Sequence, residues 1–250
     1  MRAVVELLAG ARRLVIFTGA GVSAESGIPT FRDALGGLWA RYDPAALATP
    51  AAFADDPALV WGWYEWRRLK VLGVQPNPAH RAIAALSGRI ADTRLVTQNV
   101  DDLHERAGSR DVLHLHGSLH APRCATCAAA YRDALPDSVE PEEGRRIEPP
   151  RCPACGGQVR PGVVWFGEAL PEAALREAFA AACECDLLLS VGTSGVVQPA
   201  ARIPGLALEH GASVVHVNPQ PVRTRHPREH CLVGPAGEVL PELLRRAFPS

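Results

Sequence analysis

The sequence predicts an α/β fold: a mostly parallel sheet with helices on both faces and a small domain inserted into it. Three observations predict it. Short apolar runs alternate with segments of helical spacing, the order that crossover helices impose on parallel strands. The first apolar run, residues 14–17, breaks at once into small residues, Thr18-Gly19-Ala20-Gly21-Val22-Ser23-Ala24. Residues 119–162, rich in Cys, Pro, Glu and Arg, interrupt the alternation with a segment of different character.

In chain order, residues 2–12 have helical spacing, with Val5, Leu8 and Ala9 on one face, and residues 14–17 form the first strand. Residues 33–56 read as loop, punctuated by Gly36-Gly37, Asp43-Pro44, Thr49-Pro50 and Asp55-Asp56-Pro57. Asp56 can cap a helix that begins at Pro57 and runs to about residue 72. That helix carries Trp61, Trp63, Tyr64 and Trp66; three of the chain's five tryptophans on one helix suggest packing on two sides. Asn77-Pro78 opens a helix to about Leu86, and residues 94–97 form the second strand, ending in Gln98-Asn99-Val100-Asp101. A short helix covers 101–107, and residues 112–115 form the third strand, ending at His116-Gly117-Ser118. Residues 163–166 return to strand. Helices over 171–182 and 198–209 flank the most apolar strand, 186–191, which ends in Gly192-Thr193-Ser194. A strand over 214–217 ends in Asn218-Pro219, and 238–247 is a closing helix. In such a sheet functional residues gather at the carboxyl ends of the strands. The polar tails Gly19-Ala20-Gly21, Gln98-Asn99, His116, Phe166-Gly167-Glu168, Gly192-Thr193-Ser194 and Asn218 all fall there.

Composition narrows the partners. The chain of 250 residues is 47% hydrophobic and 21% charged, with a net charge of -1, so nothing in it favours nucleic acid or an anionic membrane. No apolar run approaches the roughly 20 residues needed to span a bilayer, and residues 1–6 lack the long apolar core of a signal peptide. A reducing cytoplasm is the expected location. Seven cysteines there read as metal ligands or buried thiols before disulfides.

Apolar run, glycine turn and helix start is the order of a dinucleotide site, and Gly-x-Gly-x-x-Ala is an accepted variant of its fingerprint. Gly19 and Gly21 would let the backbone approach a pyrophosphate, with the amides of residues 22–24 facing the anion. An ordinary strand-to-helix turn explains the same residues. The cysteines are more specific. Cys124-x-x-Cys127 and Cys152-x-x-Cys155 stand 24 residues apart, two knuckles that complete a tetrahedral thiolate site for zinc. Four protein ligands close the coordination sphere, so the ion is expected to be structural and to fold residues 119–162. A redox disulfide pair is the alternative. A zinc ribbon for nucleic acid would need a basic face, but Arg123, Arg132, Arg145, Arg146, Arg151 and Arg160 are balanced by Asp133, Asp137, Glu140, Glu142, Glu143 and Glu148. His116, at a strand end before Gly-Ser, is a general-base candidate or a loop histidine held by a hydrogen bond.

Residues 19–32, Thr97-Gln98-Asn99-Val100-Asp101, Leu115-His116-Gly117-Ser118, the two cysteine pairs and Val163-Val164-Trp165-Phe166-Gly167-Glu168 together resemble the sirtuin family of NAD-dependent protein lysine deacylases. The motifs stand in the family's order over nearly the whole chain. One departure is His114, where many sirtuins carry Glu. The resemblance implies NAD+ as cosubstrate, one structural Zn2+, and acylated-lysine proteins or peptides as partners. It implies His116 as the catalytic base, with Ile28, Asn99 and Asp101 lining a nicotinamide pocket. Gly19, Ala20, Gly21, Gln98, Gly192, Ser194, Asn218 and Ala236 would surround the phosphates and adenosine. Phe31 and Arg32 would belong to a loop that closes over the cofactor. The implied reaction breaks the bond to nicotinamide, lets the acyl oxygen attack the ribose carbon, and yields free lysine and O-acyl-ADP-ribose. A peptide would pair with edges at 166–168 and 195–198, beside Val164 and Phe166. Residues 1–32, 76–118 and 163–250 would then form a discontinuous Rossmann-like NAD-binding domain. Residues 33–75, a helical and loop module, and 119–162, the zinc module, would form the small domain.

Tyr64-Glu65-Trp66-Arg67 bears on the acyl group. Positions i and i+3 share a helix face, so a phenol and a guanidinium there could clamp a carboxylate; a packed aromatic beside a solvated arginine is the plainer reading. The class III branch of the family carries this Tyr-x-x-Arg pair and prefers succinyl- or malonyl-lysine, and Ala48 matches a small residue that widens its acyl pocket. The resemblance therefore implies desuccinylation, with deacetylation as a second activity. ADP-ribosyl transfer is a close rival. A hydride-transfer dehydrogenase would need an acidic residue ending a second strand about 20 residues after the glycines, where this chain has the 36–49 loop.

Overall fold

The computed structural model describes residues 1–30, 41–135 and 145–249. Phe31 and Arg32 lie outside the described residues. The chain opens with α1 (Arg2–Gly10), β1 (Arg13–Thr18) and the one-turn α2 (Gly21–Ala24). The stretch expected to be loop up to residue 56 holds two short helices, α3 (Pro44–Leu47) and α4 (Pro50–Asp55). The residues read as punctuation start them: the side chains of Asp43 and Thr49 accept the amides of Ala45 and Ala52, and a proline follows each cap. Helix α5 (Pro57–Leu72) begins as expected, with Asp56 accepting from Leu59 N–H. Its residues 58–68 are buried all round, as the tryptophan count suggested.

Next come α6 (Pro78–Ser87), capped reciprocally by Asn77 and His80, then β2 (Asp92–Thr97), α7 (Leu103–Arg106) and a two-residue β3 (Leu113–His114). A separate antiparallel pair, β4 (Arg123–Cys124) and β5 (Val159–Arg160), braces the cysteine-rich segment. The strand expected over 163–166 does not form. Val163 makes one antiparallel bridge with Gly117, Val164 N–H donates to the His116 carbonyl, and Phe166 N–H donates to the Ala48 carbonyl. This apolar run connects two parts of the molecule instead of joining the sheet. Then follow α8 (Glu172–Glu184), β6 (Leu187–Val191), a 3-10 turn (Ala200–Arg202), α9 (Ile203–Glu209), β7 (Ser213–Asn218), β8 (Glu229–Val233) and α10 (Ala236–Ala247). Strand β8 was not foreseen: it is an edge strand, and of its residues only Leu232 is buried.

The large sheet has the order β3-β2-β1-β6-β7-β8, with every pairing parallel. Its central strands are apolar on both faces, as sheets sandwiched by helices require. Leu189, Val191, Val215 and Val217 pack with α1, α6 and α10, whereas Leu188, Val214 and Phe17 pack with α8 and α9. A third apolar cluster joins α3, α4 and α5 to Ile28, Leu103, Leu119, Val163 and Trp165. The chain leaves β1 on one side for β2 and returns on the other as β6, so the strand order reverses between β1 and β6. A crevice at the carboxyl ends of those strands is where open α/β sheets bind ligands.

Candidate active site

At that reversal the turns after β1 and β6 lock together. Gly19 N–H donates to the Val191 carbonyl and Gly21 N–H to the Gly192 carbonyl, both at 3.0 Å. A Cβ on Gly21 would lie 2.8 Å from Gly192 Cα, and Gly192 itself sits at φ +61°. The glycines are thus required by the approach of one turn to the other. The amides of Val22 and Ser23, expected to face an anion, are committed to the carbonyls of Gly19 and Ala20. Ala20 and Gly21 still stand at the head of the crevice.

Beneath this turn lies a buried polar network. Ser23 Oγ donates to Asp101 Oδ2 at 3.0 Å and accepts from Asn99 Nδ2 at 3.1 Å. His80 Nδ1 accepts the Asn77 amide, which leaves Nε2–H to face Ser23 Oγ at 3.4 Å. Asn77 Nδ2 donates to the Val22 carbonyl at 2.7 Å, and Thr18 Oγ1 joins Thr97 Oγ1 and His104 Nε2 at 2.8 and 3.0 Å. Burial pulls His80 down to about 4 and His104 to about 3, so both rings are neutral. Burial also pushes the Asp101 carboxyl up, against the Leu103 amide and the Ser23 hydroxyl, which favour its ionised form.

Two histidines close the far side. His116 Nδ1 lies 3.0 Å from the Gln98 carbonyl, which can only accept, so Nδ1 carries the proton and Nε2 keeps a lone pair. Burial lowers the His116 pKa below its ordinary value, partly opposed by that carbonyl. His114 behaves oppositely. Its two nitrogens face two acceptors, the Asn99 carbonyl at 3.0 Å and Glu105 Oε1 at 2.7 Å. Burial alone would lower it, but the Glu105 carboxylate and the Asn99 carbonyl outweigh burial and raise its pKa. The departure from Glu at this position thus brings an imidazole that reaches the backbone of Asn99 on one side and the Glu105 carboxylate on the other.

Ile28 and Arg67 line one narrow hollow together with Pro29, Trp66, Lys70 and Val71. Ala48 and Tyr64 are buried within the third apolar cluster. Tyr64 Oη accepts from Trp165 Nε1 at 3.1 Å, so its own O–H remains to donate, and burial raises its pKa well above the phenol range. Arg67 is buried, with its guanidinium 5.2 Å from the Trp63 ring centre; burial lowers its pKa, opposed by Tyr64 and Asp101. Val164 is half-buried and Phe166 is exposed. On the other side of the crevice Ser194 and Asn218 border a hollow of about 260 Å³, with Asn218 Nδ2 donating to the Thr193 carbonyl at 3.4 Å. Ala236 is buried at the start of α10, where Glu25 accepts the Gly237 amide.

Cys124, Cys127, Cys152 and Cys155 bring their sulfurs within 4.8 Å of one another. Cys124 and Cys155 sulfurs are 3.5 Å apart, and those of Cys127 and Cys152 are 3.8 Å apart. A tetrahedron with Zn–S bonds of about 2.3 Å has edges of about 3.8 Å, so the four thiolates fit a structural zinc.

Sequence reasoning left several residues without a role here. Ser23 lay inside the quoted glycine turn, yet its partners are 76 and 78 residues away. Glu168 closed a quoted motif, and Arg160 was counted only as surface charge. In the fold they form a bidentate pair, which holds the Glu168 carboxyl below the usual range against its burial.

Residues 19–199 match the profile of the Sir2 family. The chain is 59% identical to an NAD-dependent protein deacylase of Methylococcus capsulatus over 252 residues, covering 98% of each. Its fold is similar to that of a Sir2 homologue solved as an NAD complex, at 45% identity and a TM-score of 0.85, over 99% of this chain and 93% of that one. It is also similar to Sir2Af2 bound to a myristoylated histone peptide, at 34% identity and a TM-score of 0.73, over 98% and 95% of the two chains.

Proposed function

The chain belongs to the Sir2 family and is an NAD-dependent protein deacylase; from that premise we propose that it prefers succinyl- and malonyl-lysine, with acetyl-lysine as a second substrate. The observation that carries the preference is the burial of Tyr64 and Arg67, three residues apart on α5. A phenol whose oxygen already accepts from Trp165 is left to donate, and the buried guanidinium on the same helix face offers charge to a carboxylate. Ile28, read as the nicotinamide wall, and Arg67, read as the acyl clamp, line one hollow, which supports that reading.

His116 holds the role of base: its Nε2 accepts the proton of a ribose hydroxyl while the Gln98 carbonyl fixes the tautomer at Nδ1. Asn99 and Asp101, oriented through Ser23, line the nicotinamide pocket with Ile28. Bound NAD supplies an electrophilic ribose carbon and a nicotinamide leaving group. Gly19, Ala20, Gly21, Gln98, Gly192, Ser194, Asn218 and Ala236 surround its phosphates and adenosine. Ala48, Val164 and Phe166 border the acylated lysine. We also read residues 33–75 and 119–162 as one small domain on a Rossmann-like body, since α3, α4 and α5 share an apolar cluster with Leu119. Four reduced thiols on zinc suit a reducing compartment such as the cytoplasm. Among the described residues, no helix is long and apolar enough to cross a membrane.

A panel of acetyl-, malonyl-, succinyl-, glutaryl- and myristoyl-lysine peptides with NAD tests the preference. Arg67→Met is expected to lower kcat/KM for succinyl-lysine by about 2 kcal/mol, the scale of a charge-assisted contact, and to spare acetyl-lysine. Equal loss on both substrates would remove the clamp.

A further inference from the structure

Arg160 stands where three parts of the molecule meet. It belongs to β5, and the residue before it, Val159, pairs directly with the zinc-site cysteine Cys124. Its guanidinium reaches away from the cysteines into the connector at 163–168. Nη1 and Nη2 donate to Glu168 Oε1 and Oε2 at 2.6 and 2.8 Å, and Nη2 also donates to the Val163 carbonyl at 3.2 Å. The same guanidinium lies over the Trp165 ring, with Cζ 3.5 Å from the ring centre. Glu168 Oε2 in turn accepts the Trp165 amide at 2.8 Å. Trp165 therefore has its backbone, one ring face and its ring nitrogen each held, the last by Tyr64 Oη at 3.1 Å.

We propose that Arg160 and Glu168 are positioning residues for the acyl-peptide site. They transmit the order of the zinc-braced pair β4–β5 into the connector, fix the plane of Trp165, and through it aim Tyr64. The inference rests on the reading of residues 166–168 as an edge that meets the peptide and of Tyr64 as part of the acyl clamp. Physical chemistry favours such a lock. Arg160 and Glu168 are largely shielded, so their charge-assisted fork is stronger than a surface pair. A fork is planar and tolerates little rotation, and the ring stacked on it inherits that orientation. Among the described residues, the partners of the lock lie on α4, α5 and the connector, so it is expected to act on the peptide side of the crevice and leave the dinucleotide side alone.

The test is steady-state kinetics of the zinc-loaded enzyme with a succinyl-lysine peptide. Glu168→Gln keeps the shape and removes the charge, and Arg160→Lys keeps the charge and removes the fork. Each is expected to raise KM for the peptide about tenfold, while KM for NAD stays within twofold and zinc remains at one ion per chain. An unchanged peptide KM would overturn the proposal. So would KM values for peptide and NAD that rise together, or loss of zinc in both variants, which would mark the pair as merely structural. A peptide N-methylated beside the lysine is the control on wild-type enzyme. If wild type binds it as well as the parent peptide, the edge reading has failed; if it discriminates and the variants do not shift KM, the lock alone has failed.

Discussion

At the scale of the residue, His116 and the pair His80 and His104 make opposite uses of burial. As the proposed base His116 has to take up a proton and release it again, and its lowered pKa keeps the free base populated through neutrality and slightly below. The acid limb of kcat/KM is therefore expected to fall below pH 6.5, and His116→Tyr to abolish turnover with every acyl group while zinc content is unchanged. An acid limb above pH 7, or retained turnover, would take His116 out of the role of base. His80 and His104 are held neutral, with folded pKa values of about 4 and about 3. Unfolded histidines take up protons below about 6.5, whereas these two do so only far lower. Their contribution to stability is complete above 6.5 and is lost as pH falls, at about 1.4 kcal/mol per pH unit for each ring. His114, with a raised pKa, does not cancel this: its contribution is already complete below 6.5 and declines only at higher pH. Urea unfolding measured between pH 6 and pH 5 should show the loss, and a flat profile there would contradict the neutral assignment. His116 could be read along the chain, but the neutral states of His80 and His104 could not. His80 meets Ser23 across 57 residues and His104 meets Thr18 across 86, so the partners that decide their chemistry are set by topology.

The element that repays attention is α5. Its start was legible because Asp56-Pro57 states both a cap and a first-turn proline, and its burial because tryptophans crowd it. What the chain did not state is how close its neighbour comes. Ile147 N–H donates to the Ala58 carbonyl at 3.0 Å, and a Cβ on Gly62 would run into the Arg145 carbonyl. In an exposed helix, alanine would gain about 1 kcal/mol over glycine. Here the clash wins, and Gly62→Ala is expected to destabilise the protein by about 1–3 kcal/mol. A thermal melt reads the sign, and a higher melting temperature would overturn the packing argument. Elsewhere legibility failed for equally local reasons. Helices α3 and α4 are one turn or little more, so their caps and prolines looked like loop. Residues 163–166 have the apolar run of a strand, but the amides of Val164 and Phe166 go to the carbonyls of His116 and Ala48, in segments far apart in the chain, and that of Trp165 goes to Glu168.

For the whole molecule, alternation of strand and helix gave the parallel sheet, and the polar strand ends gave the crevice. The cysteine spacing gave the zinc site, because ligand geometry is nearly complete within each knuckle. The way the modules are fastened together was hidden, since Arg160 and Glu168 differ from any surface pair only by what folds over them. Zinc removal addresses the molecule at this scale. Residues 119–135 and 145–162 carry few large apolar side chains, and the thiolate site is what fixes their path. After chelation, limited proteolysis is expected to cut between 119 and 162, while the six-stranded sheet stays protected and zinc readdition restores resistance. Uniform digestion of the chain would show instead that the metal holds the entire fold.

Strand β1 also has a consequence for synthesis. Its neighbour on one side, β2, follows within 100 residues, but its neighbour on the other, β6, pairs Leu14 with Leu187, and Asp186 accepts the amides of Arg12 and Arg13. At a translation rate of about 5–20 residues per second, that edge of β1 waits on the order of 10 s or more before its partner leaves the ribosome. Throughout that wait Val15 and Phe17, destined for the centre of the protein, belong to an open edge. The nascent chain, more than the finished enzyme, is the form open to edge-to-edge pairing.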